Sequence, residues 1–489
     1  MKRIAFLLAA LLALGLMSCG GTSPAPAGET AGTASETQPA VTTAADDPGL
    51  PQKNFDGAGI NFLVISEKHN ANNYSQEIYA EKENGDPLND AVYYRNVYVE
   101  DLYGTKITET RADDPAGSAR TAVLAGEDLY QVLMMGMDEC MTIAQMEALY
   151  NLNEVEYLDL SRAWWDQNVN GALTCRGTSY MAVGDINIMD DNATWVTFFN
   201  KKLAEDYTLP DFYGIADEGK WTMDVLLENA RITNTDLNGD NEITWEDRFG
   251  IGTDKYNFSN LLMGAGERYW NWNDAGDLEP VIYNDRAVAV MEKIFTLMYD
   301  EPTTVNSDQY WGIVSGTPNS TVLRKSFGED RMTFYIASML TYSLMRSMES
   351  DFGLLPMPKY DEAQESYHSP ILPRNTSALS IPITNADTAM TGYLVEAMAA
   401  KSSTTLRPAY YTYTIEGKGL RDEDSARMLD IVLSTKIVDF GSVFDFGDMV
   451  AAFQNLTLTN GTDIASTYAS RIDAAKIACE ETMARLYPR

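Results

Sequence analysis

Apolar and polar positions along this chain fall into two alternating periods. Gly59-Ile60-Asn61-Phe62-Leu63-Val64-Ile65 is a short, nearly continuous apolar run, the pattern of a strand buried on both faces. Pro87-Leu88-Asn89-Asp90 then offers a helix start, Val92, Tyr98, Val99 and Leu102 recur at helical spacing, and Gly104 offers a stop. Lys106-Ile107-Thr108 returns as a strand. The pattern then predicts a helix over 116–124, a buried strand over 129–135 and a further helix over 142–150. Strands spaced by helices predict an α/β layout with a mainly parallel sheet.

The regularity breaks at 180–200, where apolar residues alternate around Asp185, Asp190, Asp191 and Asn192. A long extended segment with polar interruptions suits a crossing between two lobes. The chain beyond it is richer in helices, predicted at 225–232, 286–299 and 389–400. A second extended stretch, 372–384 with Ser380-Ile381-Pro382-Ile383, is a second crossing candidate. No internal repeat is visible.

The N-terminal segment follows a different pattern. Lys2 and Arg3 precede an apolar run from Ile4 to Met17, too short to span a bilayer, and Ser18 stands before Cys19. This resembles a bacterial lipoprotein signal, residues 1–18, and the resemblance implies cleavage before Cys19 with lipid on its sulfur. Residues 20–51 hold no aromatic residue and only Val41 and Leu50 as large aliphatics. Such a segment cannot offset its chain entropy by burial, so 19–54 is expected to be a disordered tether. No later stretch reaches eighteen consecutive apolar residues. The expected state is lipid-anchored, extracytoplasmic and monomeric.

Composition narrows the function. The chain is 45% hydrophobic and 10% aromatic, enough for a sizeable core in a two-lobed body. Its formal net charge of −35 repels phosphate backbones and argues against nucleic acid. The same charge disfavours an anionic ligand unless basic residues are concentrated in the cleft. Only His69 and His368 are present, which excludes a histidine-rich metal site. Cys140, Cys175 and Cys479 have no metal-ligand spacing, and Cys140 with Cys175 is the nearest pair for a disulfide.

One loop does carry metal-ligand spacing. Asp236, Asn238 and Asp240 occupy positions one, three and five of an EF-hand-like series, Glu242 offers a carbonyl at position seven, and Asp247 stands at twelve. Asn241 replaces the usual glycine, and Asp247 the usual glutamate. Self-repulsion among these carboxylates favours a structural Ca2+; the bland alternative is a solvated acidic turn.

Four motifs, in order along the chain, resemble the carbohydrate-type solute-binding proteins of ABC importers. Ala125-Gly126-Glu127-Asp128-Leu129-Tyr130-Gln131-Val132 is similar to that family's small-Gly-acidic-x-Tyr-Asp-Val strand, with Gln131 where Asp is commoner. Phe198-Phe199-Asn200-Lys201-Lys202-Leu203 resembles its Tyr-Asn-Lys entry to the second lobe. Gly219-Lys220-Trp221-Thr222-Met223-Asp224-Val225-Leu226 resembles its Trp-Thr helix start, and Phe352-Gly353-Leu354-Leu355-Pro356-Met357-Pro358 its Gly-x-x-Pro-x-Pro strand. The resemblance implies a two-lobe periplasmic-binding-protein-like α/β fold of type II, with ligand enclosed between lobes. It places the first lobe at 55–184 plus 326–375 and the second at 185–325 plus 376–489.

Sugar sites pair aromatic faces with planar polar groups. Trp270 and Trp272 sit in the densest aromatic–amide cluster, and Trp311 lies in another irregular stretch. Trp195 and Asp191 lie on the first crossing, Glu67 follows the first strand, and Arg374 precedes the second crossing. Trp164, Trp165, Trp221 and Trp245 read as packing residues. The leading expectation is a non-enzymatic carrier that captures a carbohydrate, an oligosaccharide above all, and hands it to a membrane permease. The alternatives are a carrier of peptides or other solutes, an exported glycoside hydrolase, for which no specific carboxylate pair stands out, and an adhesin.

Overall fold

The computed structural model describes residues 46–69, 77–273, 275–310, 319–346, 348–416 and 422–488. The lipoprotein signal, Cys19 and Trp311 lie outside the described residues. Residues 46–54, expected at the end of the tether, lie against the body. Lys401 donates to Asp46, Arg162 to the Pro48 carbonyl and Tyr393 to the Pro51 carbonyl.

Two sheets organise this α/β body. The first has the strand order Ala378–Ser380, Val132–Met135, Gly59–Ile65, Lys106–Ala112. Gly59–Ile65 pairs in parallel with both neighbours, and Ala378–Ser380 closes one edge antiparallel. The second sheet runs Phe352–Leu355, Trp195–Asn200, Met332–Ser338, Phe249–Thr253, Thr304–Asn306. Its first two pairings are antiparallel and its last two parallel.

The apolar runs are continuous because both faces of each sheet are covered. On the first strand Ile60, Phe62 and Val64 point to one core, shared with Tyr393, Leu394 and Met398. Leu63 points the other way, with Leu133 and Met135, towards Met137, Cys140 and Met141. On Trp195–Asn200 the same period of two sends Val196 and Phe198 to one side and Trp195 and Phe199 to the other.

The helix starts follow local chemistry. Asp86 caps Pro87–Tyr103 by accepting from the Leu88 and Asn89 N–H groups, and Gly104, at φ 57°, ends it in the left-handed geometry that glycine adopts without strain. Thr222 caps Met223–Ala230. One predicted helix is displaced: the expected 142–150 is Met137–Ala144, and the strand expected over 129–135 is shortened to Val132–Met135. Gly136 breaks the strand, Asp138 and Glu139 favour a helix first turn, and Glu147 at φ 58° prevents continuation.

The assignment of 326–375 to the first lobe needs correction at the level of strands. Met332–Ser338 and Phe352–Leu355 both belong to the second sheet, while Ala378–Ser380, expected in the second lobe, edges the first. A one-dimensional pattern does not reveal this exchange, because antiparallel partners are chosen across space. The two predicted crossings run side by side: Ala182 bridges Leu379, and Thr194 bridges Ile371, both antiparallel.

Thr388–Ser402 is buried over most of its circumference and carries one buried acid, Glu396. Its carboxyl accepts the indole N–H groups of Trp164 at 3.1 Å and Trp165 at 2.9 Å, and the Asp159 N–H. Burial pushes its pKa up to about 7 from 4.5. The folded protein therefore retains a proton that the unfolded chain releases, so this group's contribution to stability falls as pH rises from 4.5 to about 7. Glu396→Leu strands two indole donors and should cost about 1–3 kcal/mol. Urea unfolding at pH 5 and pH 7 should also show a smaller pH dependence in the variant than in the parent.

Candidate functional site

The main cavity opens where strands of both sheets end and their following segments meet, the usual place for a ligand in an open α/β sheet. Its volume is about 420 Å3. Met137–Ala144, which follows the first sheet's strand Val132–Met135, supplies Asp138, Met141 and Thr142. Tyr256–Gly264, which follows Phe249–Thr253 of the second sheet, supplies Tyr256, Ser259 and Asn260. Leu372–Arg374 forms the floor between them, and Ser442–Asp445 with Gln454 closes the far wall. A second cavity of about 220 Å3 lies beside it and shares Tyr256, Leu372 and Arg374. Trp195, Tyr335, Ser338 and Asn375 line this second space.

The lining suits a polyhydroxylated ligand. Tyr256 and Phe444 give aromatic faces, while Asn260, Ser442 and Gln454 give hydrogen-bonding groups. Three buried polar atoms of the lining have no partner among the described residues: Trp195 Nε1, Asn260 Oδ1 and Ser442 Oγ. Most buried polar groups in native proteins are paired, so unpaired ones on residues that line a cavity are candidate positions for ligand or water contacts.

Other polar groups are already committed. Gln454 donates to Ser259 Oγ at 2.9 Å, and Ser259 meets the Tyr269 hydroxyl at 2.8 Å. Asp445, at φ 45°, accepts the Val450 and Ala451 N–H groups. Asp254 accepts the Tyr256 and Asn257 N–H groups; burial, then the charge of Asp308, pushes it up to about 7.

The expected ligand residues divide. Trp195 lines the smaller cavity and Arg374 lines both. Asp191 lines neither: it is buried and bound to Lys436 at 2.6 Å. Glu67 is exposed beyond the first strand, outside both cavity walls, while His69 reaches Glu139 at 3.4 Å. Trp270 is buried behind the site against Phe446, with ring centroids 5.2 Å apart, and Trp272 packs on Phe440 at 5.1 Å. Their strand is held in place by Asp439, whose carboxylate accepts the Tyr269 and Trp270 N–H groups. The aromatic–amide cluster thus supports the 440–446 segment instead of touching the cavity. Trp164, Trp165 and Trp221 are buried packing residues, and Trp245 packs partly buried against a core, as expected.

Tyr256, Asn260 and Ser442 were not singled out from sequence. The only hint is their setting, Tyr256-Asn257-Phe258-Ser259-Asn260 and Ser442-Val443-Phe444-Asp445-Phe446, each mixing aromatic and polar residues.

The loop 236–247 curls about its own first residue. Asp236 accepts the Gly239 and Asn241 N–H groups, and Asn241 takes φ 69° where a glycine was expected. Asp247 is fully buried and closes the loop by accepting the Leu237 and Thr244 N–H groups. Among the described residues no three His, Cys, Asp or Glu side chains are grouped as a metal site. Cys140, Cys175 and Cys479 are free and buried.

No protein-family model matches the chain. No curated protein matches it either. Solved structures do match in fold. A cyclo/maltodextrin-binding protein complexed with maltotetraose superposes with TM-score 0.57 at 12% identity, over 88% of this chain and 98% of the other. An ABC substrate-binding protein from Listeria monocytogenes in complex with cycloalternan gives 0.53 at 11%, over 88% and 98%. UgpB from Mycobacterium tuberculosis in complex with glycerophosphocholine gives 0.53 at 15%, over 87% and 100%. The fold is therefore the two-lobe α/β fold shared with these binding proteins.

Trp270→Ala removes a core indole and should cost about 3–5 kcal/mol in denaturant unfolding. A role in direct ligand contact alone would leave unfolding unchanged.

Proposed function

We propose that this protein is a solute carrier that captures a saccharide between its lobes and delivers it, chemically unchanged, to the permease of an ABC importer. The observation that carries this reading is the paired cavity between the two sheets, with Trp195 Nε1, Asn260 Oδ1 and Ser442 Oγ unpaired in its walls and Tyr256 facing both spaces. Sugar hydroxyls satisfy both donors and acceptors of this kind, and a pyranose face stacks on a tyrosine. The fold neighbours crystallised with maltotetraose and cycloalternan agree with it. The lining acids Asp254 and Asp445 spend oxygens on backbone N–H groups, which argues against a hydrolytic carboxylate pair.

The two antiparallel crossings, 182–194 and 371–379, are the natural hinge for closure over ligand. Cys19 is the lipid attachment point in this reading, and the body works outside the cytoplasmic membrane. No helix among the described residues is long and apolar enough to cross a membrane. A second reading, a carrier of a different small solute on the same fold, is favoured by the neighbour bound to glycerophosphocholine.

Calcium at 236–247 is a separate part of the proposal, supported by ligand spacing and by the left-handed Asn241. Asp236, Asn238, Asp240 and the Glu242 carbonyl would hold the ion. The described acids alone do not assemble its shell, so carbonyl and water oxygens must supply the remainder.

Thermal shift of the full chain against saccharides, amino acids and short peptides tests the carrier reading. A ligand at a hundred times its Kd should add about 2.7 kcal/mol of stability, and it should be recovered intact. Tyr256→Ala should weaken that ligand at least tenfold while leaving the melting temperature of the free protein nearly unchanged. Shifts with peptides alone would replace saccharide by another cargo, and cleavage of the sugar would overturn the carrier. For the loop, Ca2+ should raise Tm, EGTA should reverse the rise, and Asp236→Ala should abolish it; no response reduces the loop to an acidic turn closed by Asp247.

A further inference from the structure

The main cavity of this acidic protein is lined by two cations that make no ion pair among the described residues. Arg374 lines both cavities and Lys255 the larger one, and neither makes an ion pair among the described residues. The chain holds 71 acidic residues against 36 Lys and Arg, and many of its other bases are paired, as with Arg286 on Glu267, Arg231 on Asp300 and Arg407 on Asp185. Arg374 is exposed on the floor shared by the two spaces, and Lys255 Nζ stands over the Tyr256 ring, 5.3 Å from its centroid.

The acids that face the same space make no ion pair with either cation among the described residues. Asp445 is turned onto the Val450 and Ala451 N–H groups, Asp254 onto those of Tyr256 and Asn257, and Asp138 onto that of Glu139. Burial also pushes Asp445 and Asp254 towards their neutral forms. Closing a cleft over an unpaired guanidinium and ammonium is unfavourable, because both lose water without gaining a counter-charge. An anion between them removes that penalty. A carboxylate or phosphate also matches the planar fork of an arginine.

We propose that the saccharide carried in this cleft is anionic, its carboxylate or phosphate held by Arg374 and Lys255. This rests on the saccharide-carrier reading and names the chemical class within it. The long-range field of the protein opposes such a ligand, so the local pair must supply both attraction and selectivity.

The test is calorimetric titration of the full chain with uronate trimers (galacturonate, glucuronate and mannuronate), with the methyl ester of each, with glucose 6-phosphate, glucose and maltotriose, and with amino acids and short peptides. The expected result is at least one uronate trimer or the sugar phosphate bound tenfold or more above its neutral counterpart, ester or glucose. Arg374→Gln and Lys255→Met should each remove most of that preference. Because Arg374 is exposed and makes no side-chain hydrogen bond among the described residues, Arg374→Gln should melt as the parent does, which separates lost recognition from lost folding. Preference for glucose 6-phosphate over all uronates would identify phosphate as the anion. Binding of maltotriose or the esters as tightly as the acids would overturn the anionic assignment and leave the carrier standing. Failure of every saccharide to bind, with peptides or amino acids bound instead, would overturn the carrier reading and this inference with it.

Discussion

Lys436 holds the two halves of the body in register. Its ammonium is buried and lies 2.6 Å from both Asp190 and Asp191 and 2.9 Å from Asp166. Burial works against the charged lysine, but the charges of Asp190, Asp191 and Asp166 outweigh it and hold the group well above its ordinary pKa. The four residues come from three separate parts of the fold. Asp166 caps the helix Gln167–Leu173, Asp190 and Asp191 sit in the turn that leads into Trp195–Asn200, and Lys436 lies on the short strand Lys436–Ile437 paired with Ser369–Pro370. Three carboxylates around one lysine leave surplus negative charge, and burial pushes Asp190 upwards accordingly. Breaking such a cluster by removing the lysine would leave uncompensated buried charge, which is far more damaging than its net contribution suggests.

From that point the geometry of the site follows. The cluster fixes the first crossing, and the second lies antiparallel beside it through Thr194 and Ile371. Leu372 to Arg374 continues directly from that contact and becomes the cavity floor. Arg95 performs a similar service at the first crossing with neutral partners: its guanidinium donates to the carbonyls of Glu77, Ile78 and Ile186 and to Ser402. The site is thus a gap between packed layers. The packing that orients Asn260, whose amide N–H donates to the Tyr256 carbonyl, and Trp195 leaves Asn260 Oδ1 and Trp195 Nε1 without a partner among the described residues.

Sequence identities of 11–15% to proteins of matching fold show how little of this architecture depends on particular residues. Volume, period and crossing geometry suffice for the fold. The cavity, by contrast, is shaped by a handful of side chains at its centre. The cavity's aromatic, amide and cationic residues therefore say more about what could bind there than the fold does.

The chain alone determined the layered α/β character, the helix start at Pro87, the end at Gly104 and the two crossings, because each depends on local periodicity or on one residue's backbone preference. Trp195 and Arg374 were legible as cavity residues for the same reason: they flank crossings. Tertiary structure decided the rest. It sent Met332–Ser338 and Phe352–Leu355 to the second sheet, turned Asp191 inward to Lys436, and placed Trp270 and Trp272 behind the 440–446 wall. It also brought Tyr256, Asn260 and Ser442 together from segments nearly two hundred residues apart. A tryptophan in a core and one in a binding site obey the same local pattern. Only the packing across layers determines whether an indole meets protein or an open cavity.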